Sequence, residues 1–391
     1  MKGLALVIFW FLWFLNFSTR TIFSPILPLI EDGLSISHGQ AGGLFTSLAI
    51  GFSITLFLSG RFALGLGYKR TVGIGIFCIS LVLMGFHWAE SYQSLHLLFF
   101  LLGLSSGTYL PTIFPIITQT YEARHWAKAI GIHETAPCLS IFFIPILVPF
   151  ALRYLHWKSL LLLLGILTVL FLIPFWKVSV EPIHEKTYER SPYQDIFRNR
   201  VVWIIGLLWV FSAASSLGTY SILPLYLIKE RGMEFGFANR LLGISRVAGV
   251  MVPLSIGFLT DRYGFKVILR WSIFATGLST IGLALSSKLP LIFITLILQA
   301  LLSLAFFPVA IIAISRLTPI SKRSVSIGVI TAIGVIFGTG GGPFILGMVA
   351  DHFSFKVGLL GLGVLTTLSS YLTRFIKSEE SFKGSDKESK S

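Results

Sequence analysis

Charged residues are scarce in this sequence. Asp, Glu, Lys and Arg make up 12% of its 391 residues, whereas hydrophobic residues make up 54%. Charged residues are about a quarter of an ordinary soluble domain, so the composition excludes a water-soluble enzyme or binding module. The 35 Phe residues add apolar side chains that suit a lipid surrounding.

Cysteine is nearly absent, with only Cys78 and Cys138. Both lie in apolar runs, and they cannot form a disulfide framework or a CxxC metal site. The sequence also contains no P-loop, GxSxG or HExxH motif. We therefore predict no catalytic residues, no metal and no cofactor, and we do not expect an enzyme.

Long apolar stretches recur along the chain. A helix needs about 20 such residues to cross the hydrocarbon core of a bilayer. They predict an all-α membrane protein with twelve transmembrane helices, the first of them a spanning helix and not a cleaved signal peptide. The stretches lie at 3–30, 38–59, 71–89, 94–118, 129–150, 159–176, 201–227, 237–258, 266–286, 290–315, 324–348 and 356–376.

The net charge of +14 is spread between the apolar stretches and forms no single basic face. With the N-terminus inside, 21 Lys and Arg residues fall in inner segments and 6 in outer loops. Because inner loops of membrane proteins are rich in Lys and Arg, we expect a multi-pass inner-membrane protein with both termini cytoplasmic. The lipid bilayer, and no nucleic acid, is the expected partner of these charges.

The two halves of the chain repeat each other. Pro28 matches Pro224 at an offset of 196 residues, and Gly131 matches Gly328 at an offset of 197. Parallel six-helix repeats are one of the known transporter architectures. The predicted domains are an N-terminal six-helix bundle at 1–176, a cytoplasmic linker loop at 177–200, a C-terminal six-helix bundle at 201–376 and a disordered cytoplasmic tail at 377–391.

The loop after the eighth stretch carries a motif. It reads GFLTDRYGFK at 257–266, which resembles the G-x-L-x-D-R-x-G-x-K loop signature of the major facilitator superfamily. The resemblance implies the major facilitator fold, transport by alternating access, and a gating role for Gly257, Asp261, Arg262 and Gly264.

The corresponding loop of the first half departs from this signature. It reads GRFALGLGYKR at 60–70, with Leu64 where the acid belongs. The fifth stretch also lacks the G-x-x-x-G-P pattern of drug/proton antiporters, which appears instead between Gly338 and Pro343 and predicts close packing there. These departures weaken drug efflux as a hypothesis, and they leave open a non-transporting sensor or scaffold with the same fold.

Four arginines, Arg20, Arg240, Arg246 and Arg270, lie within predicted helices. Arg240 is expected at the solvated outer rim and Arg270 at the cytoplasmic end, so Arg20 and Arg246 are the two at membrane depth. A charge at membrane depth is costly, so it is expected to face a cavity or a partner. In the repeat, Arg20 corresponds to Ser216 and Arg246 to Ala49, which means that the shared fold requires neither charge. Arg246, near the middle of its helix, is the principal candidate for contacting an anion. For Arg20, snorkelling to the outer surface is the alternative.

Neutral polar side chains complete the predicted substrate site. Asn16 lies one helical turn from Arg20 on the same face. The fourth, seventh and tenth helices contribute Tyr109, Tyr220 and Gln299. Since membrane bundles also use such groups for packing, each residue by itself is weak support for a site.

His133 and Glu134, near the start of the fifth helix, are the predicted proton-coupling residues. Either side chain can titrate during a transport cycle. The alternative for both is a structural role. For Glu134, that role is an ion pair with Arg124, Lys128 or the loop at 261–262.

The hypothesis that joins these features is secondary active transport of a small organic anion, by proton symport or exchange. We expect a monomer with a small-molecule substrate. The competing hypothesis is proton-coupled efflux of lipophilic or cationic compounds, with Glu134 as the essential acid.

Overall fold

The computed structural model describes residues 2–182, 196 and 198–376, and all regular structure in this part of the chain is helical, as predicted. Most of the predicted linker at 177–200, and all of the predicted disordered tail at 377–391, lie outside the described residues. The first half contains α1 (Gly3–Leu34), α2 (His38–Leu66), α3 (Tyr68–Trp88), α4 (Tyr92–Thr120), α5 (Ala123–Ala151) and α6 (Trp157–Val178).

The second half repeats this arrangement. Five of its helices are long and apolar enough to cross a membrane: α7 (Arg200–Glu230), α9 (Phe265–Leu285), α10 (Leu289–Leu317), α11 (Val325–His352) and α12 (Phe355–Phe375). The remaining helix, α8, occupies 235–263 but is interrupted, because its first α-helical part ends at Ser245 and a 3-10 turn, Val247–Met251, follows. Six plus six helices are confirmed, and the break in α8 is a feature that hydropathy did not predict.

Glycines form the tight turns at two corresponding places in the repeat. Gly67, between α2 and α3, has φ of +93°, and Gly264, between α8 and α9, has φ of +81°. Residues with a side chain rarely adopt such angles, so the turn itself requires these glycines. Gly257 of the loop signature has open space beside it and no such angle.

α7 and α11 pack closely where both contain wider, π-helical turns. These turns are Ala214–Gly218 in α7 and Gly334–Gly340 in α11. A Cβ added at Gly338 would lie 2.6 Å from the Cβ of Ala213. Only a glycine permits this approach, which confirms the packing role predicted for the glycine pattern of α11.

The two halves are joined at the end of the molecule remote from the linker, which we call the closed end. One continuous core of buried apolar residues runs through the first half and includes the closed-end part of the second half, whereas a second core belongs to the second half alone. Helix α2 packs along α11, α5 against α8, and α1 against α7. At one of the tight contacts, Gly42 of α2 lies against the backbone of Pro343 in α11.

Hydrogen bonds between the halves reinforce the closed end. Asp351, at the end of α11, accepts hydrogen bonds from the backbone N–H groups of His38 (2.8 Å) and Gly39 (2.9 Å) and from the hydroxyl of Ser37 (2.7 Å). These residues form the start of α2, where unpaired N–H groups carry a partial positive charge that favours a carboxylate. Asp351 therefore fastens one half of the protein to the other.

Candidate functional site

Arg246 lies at the break in α8, and its side chain is 5% exposed. Its Nη1 donates to Oε1 of Gln299 at 3.3 Å, and its guanidinium carbon lies 5.4 Å from the centre of the Tyr220 ring. The amide of Gln299 donates in turn to the carbonyl of Ser215, in the π-helical turn of α7. The structure thus brings together three of the predicted site residues.

A small pocket beside Arg246 receives residues from both halves. Cys138 of α5 lines it from the first half, while Ser216 and Tyr220 of α7 line it from the second, next to Arg246. Ser216 is the repeat counterpart of Arg20. A molecule held between the halves could therefore reach the Arg246 guanidinium.

Arg20, on α1, is enclosed by aromatic rings. Its guanidinium carbon lies 4.5 Å from the centre of the Phe17 ring, 4.7 Å from that of Phe52 and 5.9 Å from that of Trp13. Contacts of this kind stabilise a cation over the ring faces. Its Nε and Nη2 atoms are buried and have no hydrogen-bond partner within residues 2–182, 196 and 198–376. The residue as a whole is half-buried, with these two nitrogens enclosed by protein.

Other buried polar atoms near the two arginines also lack partners. Among the described residues, neither amide atom of Asn16, nor the hydroxyl of Tyr220, nor Nε1 of Trp13 makes a hydrogen bond. Asn16 is completely buried. Because buried polar groups are nearly always hydrogen-bonded in proteins, a group of unpaired ones indicates a place where a ligand or water binds.

Tyr109, His133 and Glu134 form a second polar group, in the first half. The Tyr109 hydroxyl donates to the carbonyl of Phe9 at 2.9 Å and lies 3.3 Å from Nε2 of His133. Nδ1 of His133 lies 2.9 Å from Oε1 of Glu134. Trp13 stacks nearly parallel to Tyr109, with ring centres 5.1 Å apart. The chain of contacts runs from a buried tyrosine to a carboxylate that is 38% exposed.

The structural ion pair considered for Glu134 is not the one observed. Arg124 pairs with Glu122 at 2.9 Å, and Asp261 pairs with Arg316 at 3.7 Å. Glu134 instead pairs with its neighbour His133. Within the described residues, no ion pair joins Glu134 to Arg124, to Lys128 or to the loop at 261–262, so that alternative is wrong for this conformation.

Family comparison agrees with this architecture. The model of the Major Facilitator Superfamily matches the chain over residues 9–256 and again over residues 241–391. The chain belongs to this superfamily. Its members are membrane transporters, so this chain is a transporter of the same family.

Among individual superfamily members, the chain is 24% identical to the hexuronate transporter of Bacillus subtilis (strain 168) over 269 residues, which are 66% of this chain and 63% of that one. It is 23% identical to the multidrug resistance protein MdtL of Klebsiella pneumoniae (strain 342) over 280 residues, which are 68% and 69% of the two chains. A variant of the nucleoside transporter NupG has the same fold, with a TM-score of 0.84, 14% identity, and coverage of 95% of this chain and 99% of that one.

The signature loop of this facilitator lies at the linker end of α8. Asp261 is exposed and pairs with Arg316 of α10. Arg262 lies over the ring of Tyr263, at 5.4 Å, and Nζ of Lys266 donates to the carbonyl of Arg374 at 3.4 Å. The loop thus connects α8 with α10 and α12 of its own half, and the gating role of Asp261 and Arg262 stays a prediction.

In the first half of the facilitator, a carboxylate from elsewhere occupies the turn whose own acid is replaced by Leu64. Glu181, which follows α6, accepts hydrogen bonds from the backbone N–H groups of Tyr68 (2.6 Å) and Lys69 (3.1 Å) at the start of α3. Nζ of Lys69 donates to the carbonyl of Trp176 at 2.8 Å. The start of the linker is thereby tied to the turn between α2 and α3.

Sequence reasoning missed several residues that shape the site. Trp13 is a buried core residue that covers Tyr109 and lies beside Arg20. Its spacing of three and seven residues from Asn16 and Arg20, which places all three on one helical face, was the available signal. No pattern in the sequence points to Phe52, because it comes from a different helix.

Proposed function

We propose that this facilitator is a secondary active transporter of a small organic anion. It acts as a monomer in the inner membrane, with both termini cytoplasmic and the closed end facing outward. The substrate binds between the halves, at Arg246, Gln299 and Tyr220 on one side and at Arg20 and Asn16 on the other. Transport proceeds by rocking of the two six-helix bundles around this site.

The observation that supports an anion is a pair of arginines without acids: Arg246 is buried, and Arg20 is half-buried with its Nε and Nη2 atoms enclosed. Within the described residues, neither Arg20 nor Arg246 forms an ion pair with a carboxylate, and both retain unpaired N–H groups. An unpaired buried charge is strongly unfavourable. An anionic ligand relieves this cost when it binds, and so the site selects for negative charge. A relative that carries hexuronate is in keeping with such a substrate.

Hydrogen-bond accounting in the chain of Tyr109, His133 and Glu134 supports a proposal of proton coupling. The Tyr109 proton is directed to the Phe9 carbonyl, so Nε2 of His133 donates its own proton to the tyrosine oxygen. The contact between Nδ1 and Glu134 then requires one further proton, shared by the imidazole and the carboxylate. Loss of that proton breaks the contact. We assign His133 and Glu134 as the proton carrier.

The test compares two arginines on α8. Purified Arg246→Gln protein in liposomes is assayed for uptake of carboxylates. Arg240→Gln is the control, because it makes the same chemical change at an exposed position about two helical turns earlier. Uptake by Arg246→Gln should fall at least about tenfold, because one tenfold step corresponds to only 1.4 kcal/mol of binding energy. Arg240→Gln should transport normally. Full uptake by Arg246→Gln at equal expression refutes the assignment.

Efflux of lipophilic or cationic compounds is the second candidate. The aromatic stack of Trp13 and Tyr109 beside a partly exposed Glu134 favours it, and the chain resembles a multidrug resistance protein. A growth assay against a panel of toxic compounds separates the two functions. Cells that lack an exporter become more sensitive, whereas loss of an anion carrier leaves the panel unchanged.

A further inference from the structure

The two arginines leave the same edge of the guanidinium group unpaired. In Arg20 and in Arg246, the atoms that are buried without a hydrogen-bond partner in the described part of the chain are Nε and Nη2. These two nitrogens present parallel N–H bonds on one side of the planar group. This is the edge that binds both oxygens of a carboxylate at once.

The surroundings of each arginine hold that edge in place. The rings of Phe17 and Phe52 lie close to the Arg20 guanidinium carbon, at 4.5 and 4.7 Å, so aromatic contacts restrict access to its faces. In Arg246, Nη1 is committed to Gln299, which leaves the opposite edge for a ligand. Both side chains are therefore arranged before a ligand arrives, which lowers the entropic cost of binding.

The two edges belong to different halves of the transporter. Arg20 is held within α1 and α2, whereas Arg246 is held by residues of α7 and α10. Arg246 lines the small pocket shared with Cys138, and Arg20 is outside that pocket's lining. A ligand with a single acid group can pair with the unpaired edge of only one arginine. The charge of the other arginine then remains without a partner, which is energetically unfavourable.

We infer that the substrate is a dianion with two separate carboxylate groups, one for the Nε and Nη2 edge of Arg20 and the other for that of Arg246. This inference rests on the proposed transport of anions and specifies the substrate class. Two guanidinium charges are then matched by two carboxylate charges. The unpaired amide of Asn16 and hydroxyl of Tyr220 are available to polar groups on the segment that joins the two acids.

The experiment measures binding to the purified full-length protein, by ligand-induced thermal stabilisation and by competition for uptake in liposomes. The probes are the linear dicarboxylates from malonate to suberate, the monomethyl ester of each, and inorganic phosphate. At the best chain length, the dicarboxylate should bind at least about tenfold more tightly than its own half-ester, since a second bidentate ion pair is gained. Arg20→Gln and Arg246→Gln should each remove this preference, and Arg240→Gln should retain it.

Four other outcomes contradict the inference in different ways. Equal binding of diacid and half-ester, with dependence on a single arginine, refutes the dianion but leaves anion transport intact. A preference for the diacid that survives in both variants refutes the two arginine edges as its cause. Phosphate binding that requires both arginines, with weak binding of every diacid, means that one tetrahedral group bridges them. Binding of no anion at all refutes the proposed function as well.

The variants need a check that is independent of binding. The unliganded melting temperature of Arg246→Gln should equal or exceed that of the wild type, because the substitution removes a buried charge without a carboxylate partner. That of Arg20→Gln should stay close to the wild-type value, because removal of the unpaired charge is offset by the loss of its aromatic contacts. Arg20→Lys and Arg246→Lys provide a second check. A lysine keeps the charge but cannot bind a carboxylate through two parallel N–H groups, so both Lys variants should also lose the preference for the diacid.

Discussion

Asp351 offers a way to shift this transporter between its conformations. Its two carboxylate oxygens accept hydrogen bonds from two backbone N–H groups and one hydroxyl at the start of α2, across the boundary between the halves. These bonds exist only while the closed end is closed. Asp351→Asn should therefore destabilise this state relative to a state that is open at the same end.

The size of the effect follows from what asparagine retains. Its carbonyl oxygen can still accept a hydrogen bond, but its NH2 group cannot, and the charge that complements the helix N-terminus is lost. Asp351 is exposed, so solvent screening reduces each contribution. We expect a total loss of about 1–2 kcal/mol, which corresponds to an increase of about 5- to 30-fold in the ratio of open to closed molecules.

Cys138 provides the assay, because it lines the pocket between the halves. In a Cys78→Ser background it is the only thiol. A membrane-impermeant maleimide applied from the closed-end side should then alkylate Cys138 faster in Asp351→Asn, in proportion to the open population. His352→Ala is the matched control, since within the described residues the His352 ring hydrogen-bonds to the Met348 carbonyl of its own helix and to no group of the other half.

An unchanged alkylation rate in Asp351→Asn would refute the reasoning, provided that the protein is expressed and folded. A rate that rises equally in His352→Ala would also count against it, because the effect would then reflect loosening of the end of α11. If Asp351→Asn speeds labelling of Cys138 from the cytoplasmic side of the membrane instead, the closed end faces the cytoplasm.

Three further perturbations test other parts of the structure. Gly42→Val should also speed Cys138 alkylation, since its side chain would collide with the Pro343 backbone, whereas Gly257→Ala, in open space, should not. Glu134→Gln should make uptake in liposomes independent of an imposed pH gradient while exchange continues. Backbone N–H groups at the start of α8 lower the pKa of Glu234 below its ordinary 4.5, so Glu234→Gln should reduce the melting temperature at neutral pH. That difference should disappear as the pH falls through the lowered pKa, where the wild-type carboxylate becomes protonated.

Hydropathy predicted the helices well because crossing a bilayer is a local requirement on some 20 consecutive residues. It did not predict the interruption of α8 at Arg246, where the helical path changes next to Gln299 of α10. Gly67 and Gly264 lie at the same place in the two corresponding loops, and both adopt positive φ angles. The Glu181 cap on α3 could not be predicted, because it compensates for Leu64 from a distant part of the chain.

The sequence by itself determined that this chain crosses a membrane as two repeated six-helix bundles and that Arg20 and Arg246 are charges which the shared fold does not need. Only the tertiary structure decided that neither arginine has an acidic partner in the described residues, that their unpaired edges are the same, and that Asp351 closes one end of the molecule. The reason is physical. Hydrophobicity is a property of each segment, whereas the pairing of a buried charge depends on which helices pack beside it.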